Sequence, residues 1–184
     1  MKDGAPVHST RVVVGTPKNQ TPIFSDEIQN IVVNPYWNVP PSIAAAEIKP
    51  HLLANPYYLD SQNMEMLAGG KVINAAAIDW TVTNINNFSV RQRPGPGNAL
   101  GAIKFLFPNP YDVYLHDTPG KALFGKTSRA FSHGCIRVQH PLELGKLLLQ
   151  NDRNNPIDAN AFDRILAKGE TATLVLKTPV PVIL

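Results

Sequence analysis

A single cysteine, Cys135, stands in a chain of 184 residues, which excludes an internal disulfide and a zinc site built from several cysteines. Charge is also sparse, at 17% of residues, and 17 Lys+Arg against 14 Asp+Glu leave a net charge of +3. With no run of five basic residues and no basic helical stripe, nucleic acid is not a partner the sequence points to. The mild excess of positive charge favours an anionic substrate. No stretch approaches the ~18 consecutive apolar residues of a membrane-spanning helix. The opening run Met1-Lys2-Asp3-Gly4-Ala5-Pro6 lacks the apolar core of an export leader, so the sequence reads as a cytoplasmic protein or as a processed or excised piece of a longer one. What the chain has in excess is proline, 17 residues where ordinary usage of ~5% gives about nine. With 12 glycines the Gly plus Pro share stays below the ~25–30% of low-complexity chains, and 43% hydrophobic residues supply a core. The prolines are therefore expected in ordered loops.

Short β-branched runs at residues 11–15 and 29–33, bounded by Pro, Asn and Gly, read as strands. Residues 34–87 change character: prolines at 35, 40, 41, 50 and 56 punctuate them, residues 42–49 can form a short helix, and residues 64–80 show no sustained period. They read as an inserted, irregular subdomain. Strand patterns return at residues 88–92, 103–107 and 112–116, separated by the turn signals Pro94-Gly95-Pro96-Gly97-Asn98 and Pro108-Asn109-Pro110. Within residues 112–116, Tyr114 and His116 share a face with Asp112. Residues 141–150 form a helix with Pro141 in its first turn and His140 as possible cap, and Asp158 can cap a helix over 159–168 that stops at Gly169. Residues 172–176 and 180–184 are strand-like. The order is that of a β-rich α+β fold.

The chemistry gathers in Tyr114-Leu115-His116-Asp117-Thr118 and Ser132-His133-Gly134-Cys135-Ile136-Arg137-Val138. A thiol with histidines near it in sequence has the ingredients of a Cys–His nucleophilic pair, because the thiolate is the reactive form and an imidazole generates it. His116, at the end of a strand, is better placed as the base than His133 on a loop. Gly134 removes a side chain beside the thiol and lets backbone N–H groups turn toward a developing oxyanion. His116, His133, Cys135 and His140 match no standard zinc spacing, and Arg137 would repel the cation, so no metal and no cofactor is expected.

This arrangement resembles the L,D-transpeptidases, the YkuD-like catalytic domain. Further blocks carry the likeness: Asn34-Pro35-Tyr36-Trp37-Asn38-Val39-Pro40-Pro41, Arg91-Gln92-Arg93-Pro94-Gly95-Pro96-Gly97-Asn98 with Lys104-Phe105 after it, and Tyr114-Leu115-His116-Asp117-Thr118-Pro119 are similar to the YcbB-like Gram-negative branch. The resemblance runs from about residue 11 to residue 181. It implies a YkuD-like mixed β-sandwich with a few flanking helices, a catalytic domain formed by residues 1–33 and 88–184, and a capping (lid) subdomain inserted at 34–87 that keeps water from an acyl-enzyme. Tyr57, Tyr58 and Trp80 would line that cover or pack its own core.

The same resemblance implies a peptidoglycan L,D-transpeptidase. Cys135 would attack the diaminopimelate–D-Ala bond of a tetrapeptide stem, release D-Ala, and pass the acyl group to an amine to form a 3→3 cross-link. His116 is then the general base, the Asp117 backbone carbonyl its orienting partner, and Gly134 part of the oxyanion hole. Arg137 would clamp a substrate carboxylate, with His133, Tyr114 and Ser132 lining the donor and Arg91 or Arg129 as supporting charges. The implied partners are donor and acceptor stem peptides, with covalent inhibition by carbapenems, no nucleic acid, and a monomeric state. The implied location is the periplasm, which makes the chain an excised domain. An L,D-carboxypeptidase using the same thioester, or a silent wall-binding module, are the alternatives. Two positions vary within the family: residue 137 is Asn in shorter members, and His133 is Ser in some relatives. Family chains also continue past the equivalent of Leu184, so the sheet is expected to be trimmed at one edge. Pro108, Pro110 and Pro119 bracket the His116 segment and are expected to stiffen it.

Overall fold

The structure is a computed structural model that describes residues 5–184; residues 1–4 of the opening run searched above for a leader lie outside the described residues. The fold is α+β and rich in strand, with one seven-stranded and one four-stranded sheet. The chain divides into two compact units, one formed by the chain up to Pro35 together with Leu100–Leu184 and the other by Tyr36–Ala99. In chain order the first unit opens with β1 (Val12–Gly15) and β2 (Ser25–Val33). The second unit holds β3 (Trp37–Val39), β4 (Met64–Ala68), β5 (Lys71–Ile73) and β6 (Ser89–Gln92). The first unit resumes with β7 (Ile103–Leu106), β8 (Leu115–His116), β9 (Ala130–Ser132), β10 (Ile136–Val138) and β11 (Ala172–Ile183).

The large sheet runs β11-β2-β7-β8-β10-β1-β9, antiparallel except for the β8–β10 and β1–β9 pairs. Strand alternation sends Ile31, Phe105, Leu115 and Ile136 to one face, and their pairing across β2, β7, β8 and β10 stacks them in a row. That face packs under the helices Pro141–Gln150 and Ala159–Ala167, whose Leu149 and Phe162 join Ile31, Ile103 and Phe105 in one core. Gly145 lets the first helix approach, since a Cβ there would lie 2.7 Å from Ile103 Cδ1. Asp158 caps the second helix by accepting the Ala161 N–H at 2.9 Å, while His140 makes no side-chain cap to the first. The two strand-like segments at the end of the sequence form one strand, β11, whose register shifts between Val175 and Val180. At that irregularity the buried Asp152 carboxylate accepts the N–H groups of Lys177 at 2.6 Å and Thr178 at 3.0 Å, donors that the ladder leaves over.

Val33 pairs with Ile103, so the second unit is strung between adjacent ends of neighbouring strands, where a hairpin turn would otherwise stand. Its sheet has the order β3-β6-β4-β5. The hairpin between β4 and β5, in a region where the sequence showed no period, turns on Gly69 and Gly70 with φ of +55° and +80°, a backbone that glycine adopts at least cost. Residues 41–54 are helical, longer than the helix expected at 42–49, with a π-helical segment at Ala44–Ile48. Leu52, Met66, Ile85 and Val90 pack with Trp80, whose indole donates to the Ala75 carbonyl at 2.9 Å, and Tyr58 joins this core while Tyr57 is exposed. Residues 88–99, grouped by sequence with the catalytic segment, belong to this second unit. The physical reason is that β6 pairs with both β3 and β4, and the Ala99 N–H returns to the Gln92 side chain at 2.9 Å.

Because Phe162 is fully buried between helix and sheet, Phe162→Ala should cost about 3–5 kcal/mol of stability. Val82→Ala, at a residue 82% exposed, should stay within about 0.5 kcal/mol. Denaturant midpoints of the two variants check this.

Candidate active site

The other face of the large sheet carries polar residues in register. Val32 pairs with Lys104, Lys104 with His116, and His116 with Arg137, so one row across β2, β7, β8 and β10 brings a lysine, a histidine and an arginine side by side. One step along the same face lies a second row, with Asn30 opposite Leu106 and Tyr114 and Cys135 preceding β8 and β10. Cys135 therefore sits beside Tyr114 and diagonal to His116. Its thiol donates to the Asp112 carbonyl at 3.7 Å, and the Tyr114 hydroxyl and backbone N–H are directed at the sulfur.

His116 is buried, and its Nδ1 hydrogen-bonds the Asp117 backbone carbonyl. A carbonyl only accepts, so Nδ1 carries the proton and Nε2 presents its lone pair. Burial, aided by the charges of Arg137 and Lys104, pushes the imidazole down to about 4 against the pull of the Asp117 bond. At neutral pH it is an uncharged base. The thiol is pushed up by burial, and the Tyr114 hydrogen bonds and the Arg137 charge only partly offset that shift, while the Asp112 charge adds to it. The pair thus rests as thiol and neutral imidazole rather than as an ion pair. Burial also lowers Lys104 and Arg137 from their ordinary values, and Lys104 Nζ lies 5.5 Å above the Tyr114 ring. The Arg137 Nε–H is buried and has no partner among the described residues.

The loop carrying the thiol is held from both sides. Ser132 Oγ donates to the Cys135 carbonyl at 2.6 Å and accepts the Gly134 N–H at 3.2 Å, and Thr21 Oγ1 donates to the Gly134 carbonyl at 2.7 Å. Gly134 has φ +120°, which a side chain would strain. Ser132, expected to line the donor, is buried and braces the turn, and the Gly134 N–H, expected at the oxyanion, is bonded to Ser132 Oγ.

The remaining expected contacts divide. Tyr114 and Arg137 stand at the sulfur, and His133 is exposed on the same turn. Arg129 is bound to backbone, its Nε to the Val12 carbonyl and its Nη1 to that of Lys126, both at 3.1 Å, so it fastens β1 rather than a ligand. Arg91 belongs to the second unit, where its Nε meets the buried Glu65 carboxylate at 2.6 Å and its guanidinium covers the Tyr36 ring at 4.6 Å. Arg93 closes the same triad at 2.6 Å. Burial raises Glu65, but the hydrogen bonds and charges of the two arginines outweigh it and hold the carboxyl low. The cation beside His116 on β7 is Lys104, on the face that strand alternation over residues 103–106 sets opposite Phe105. The Asp117 carboxylate is structural: it accepts the Ala102 N–H at 2.9 Å and the Thr118 N–H at 2.7 Å, and pairs with Lys121. Gly101, at φ +59°, leaves room for it. Among the described residues no group of three or more His, Cys, Asp or Glu side chains is arranged to hold a metal ion.

The family described as YkuD, L,D-transpeptidase catalytic domain, matches residues 1–182 of the chain. A Haemophilus influenzae protein described as "Putative L,D-transpeptidase" is 35% identical to it over 185 residues. The match takes in 100% of this chain and 37% of that relative, so the chain spans little more than a third of the relative's length.

Because the Tyr114 hydroxyl lowers the thiol's pKa, Tyr114→Phe should move the pH profile of Cys135 alkylation by iodoacetamide toward higher pH. The Tyr114 backbone N–H survives that substitution, so the thiol should still alkylate at alkaline pH.

Proposed function

The chain belongs to the L,D-transpeptidase catalytic-domain (YkuD) family, and from that premise we propose that it joins peptidoglycan stem peptides through a thioester on Cys135. The observation that carries this reading is one face of one sheet. There a half-buried thiol stands diagonal to a neutral imidazole tethered through Nδ1, and both lie beside Lys104 and Arg137.

In the proposed acylation the thiol turns its hydrogen from the Asp112 carbonyl to His116 Nε2, and the sulfur attacks the carbonyl carbon between diaminopimelate and D-Ala. The Tyr114 hydroxyl and N–H hold the sulfur as it gains charge, and Lys104 and Arg137 oppose the charge on the carbonyl oxygen. The imidazolium then protonates the nitrogen of D-Ala as the C–N bond breaks, leaving the thioester and a neutral His116. An amine of a second stem attacks the thioester, its surplus proton passes to Nε2, and Cys135 leaves as thiolate and recovers that proton. The donor's carboxylates suit the positive row formed by the half-buried Arg137 and the neighbouring Lys104. This substrate places the protein in the cell envelope, and a carbapenem, as an acylating β-lactam, should modify the same sulfur.

Purified protein incubated with a tetrapeptide stem and an amine acceptor should release D-Ala and yield a cross-linked dimer, read by mass spectrometry. Tripeptide without dimer would identify a carboxypeptidase, and no thioester at all would refute the reading. Cys135→Ala should abolish D-Ala release and His116→Ala should reduce it by about 10²-fold or more. His133→Ser should retain substantial activity, because His133 is exposed on the turn and stands outside the strand row that holds His116. Arg137→Ala should raise the donor KM about tenfold, the loss of one charge-assisted carboxylate contact.

A further inference from the structure

Cys135 marks a reversal of charge on the sheet face. On one side stands the row Lys104, His116, Arg137, and on the other a groove of about 390 Å³ lined by Asn30, Leu106, Asn109, Asp112 and Tyr114 among others. The sulfur registers both sides, since Arg137 favours its anion and Asp112 opposes it.

The acids on either side of the Tyr114–His116 segment, Asp112 and Asp117, differ in kind. The Asp117 carboxylate is buried and bound to Ala102, Thr118 and Lys121. The Asp112 side chain is exposed, and its carboxylate carries no hydrogen bond or ion pair among the described residues. Its backbone is nevertheless held in place. Asn109 Nδ2 donates to the carbonyls of Phe107 at 2.9 Å and Val113 at 2.8 Å, and Asn109 Oδ1 accepts the N–H groups of Tyr111 and Val113, both at 3.1 Å. Asp112 itself adopts φ +53°, a left-handed conformation that Asp and Asn tolerate best among side-chain-bearing residues.

We infer that this groove is the subsite for the acceptor, and that the Asp112 carboxylate recognises the ammonium group of the incoming amine. The inference rests on the transpeptidase reading. An amine reaches the enzyme as a cation, which the Lys104 and Arg137 row repels and Asp112 attracts. The groove is lined by Tyr114, the neighbour of Cys135, and by Asp112, whose carbonyl is the thiol's hydrogen-bond partner, so an amine held there lies next to the sulfur. The docked ammonium loses one proton to water, the neutral amine forms the new C–N bond as the C–S bond breaks, and the second proton reaches the sulfur through His116. Donor carboxylates and acceptor ammonium are thereby sorted to opposite sides of one atom.

The test uses the partition of the thioester, which is independent of how fast it forms. The full chain is given a tetrapeptide donor with either a second stem peptide, whose amine is cationic, or hydroxylamine, which is neutral at pH 7.5. The ratio of aminolysis product to hydrolysed tripeptide is read by mass spectrometry. Asp112→Asn preserves the left-handed backbone and should lower the ratio for the stem amine about fivefold, through a higher acceptor KM, while the hydroxylamine ratio holds near the parent value. Asn30→Lys, which places a cation in the groove, should lower the stem-amine ratio in the same way. An unchanged stem-amine ratio in both variants, or an equal fall for both nucleophiles, overturns the assignment. If the parent protein forms no thioester, the transpeptidase reading itself has failed, a result recognised before any variant is compared.

Discussion

The site depends on the register of a strand only two residues long. β8 lies between β7 and β10, and a slip of one residue would turn Leu115 to the open face and bury His116 among Phe105 and Ile136. Two backbone bonds outside the ladder pin it: the Asp117 N–H reaches the Ile103 carbonyl at 2.9 Å, and the Ile136 N–H reaches that of Tyr114 at 3.0 Å. The Asp117 side chain adds a third restraint by gripping Ala102 at the entrance to β7, a grip that Gly101 makes room for. One residue thus locks the strand with its carboxylate and orients the imidazole with its carbonyl.

Given that register, burial decides the electrostatics. Desolvation is the largest influence on both His116 and Cys135, and it acts in opposite senses, lowering the imidazole and raising the thiol. The Tyr114 hydrogen bonds and the Arg137 charge pull the thiol the other way without overcoming burial. With the imidazole at about 4, its protonated fraction at pH 7 is on the order of one in a thousand. Such a site holds no standing charge pair. The cost of this desolvation also appears in folding. Below the ordinary histidine pKa the unfolded chain binds a proton that folded His116 refuses, so His116 lowers stability as pH falls from about 6.5 toward 4.

Much of this was legible from residues alone, and the failures have identifiable causes. Alternation in residues 112–116 put Tyr114 and His116 on one face, and the caps of the helix after Asp158 were readable from Asp158 and Gly169. The expected five-residue strand shrank to Leu115–His116 because Asn109 holds the preceding loop and Asp112 turns left-handed, a tertiary bracing that no local pattern announces. The β4–β5 hairpin escaped a search for periodicity, although Gly69-Gly70 was its signal. Arg91 and Arg129 illustrate a different limit: an arginine's charge is visible in sequence, but whether it meets Glu65, a carbonyl or open space is decided by packing. Lys104 was the converse, quoted within a motif while its face, given by its place in 103–106, pointed to the site. The engaged Gly134 N–H could not have been foreseen, since it depends on the rotamer of Ser132.

The proposed catalytic pair rests uncharged, with His116 protonated on Nδ1. Nitrogen-15 NMR of the histidine side chains across pH 3–8, with His116 assigned by comparison with His116→Ala, measures both tautomer and titration. The expected result is an Nδ1–H imidazole that stays neutral at neutral pH and titrates at about 4. An imidazolium signal for His116 at pH 7, lost when Cys135 is replaced by alanine, would instead reveal a resting thiolate–imidazolium pair and contradict it.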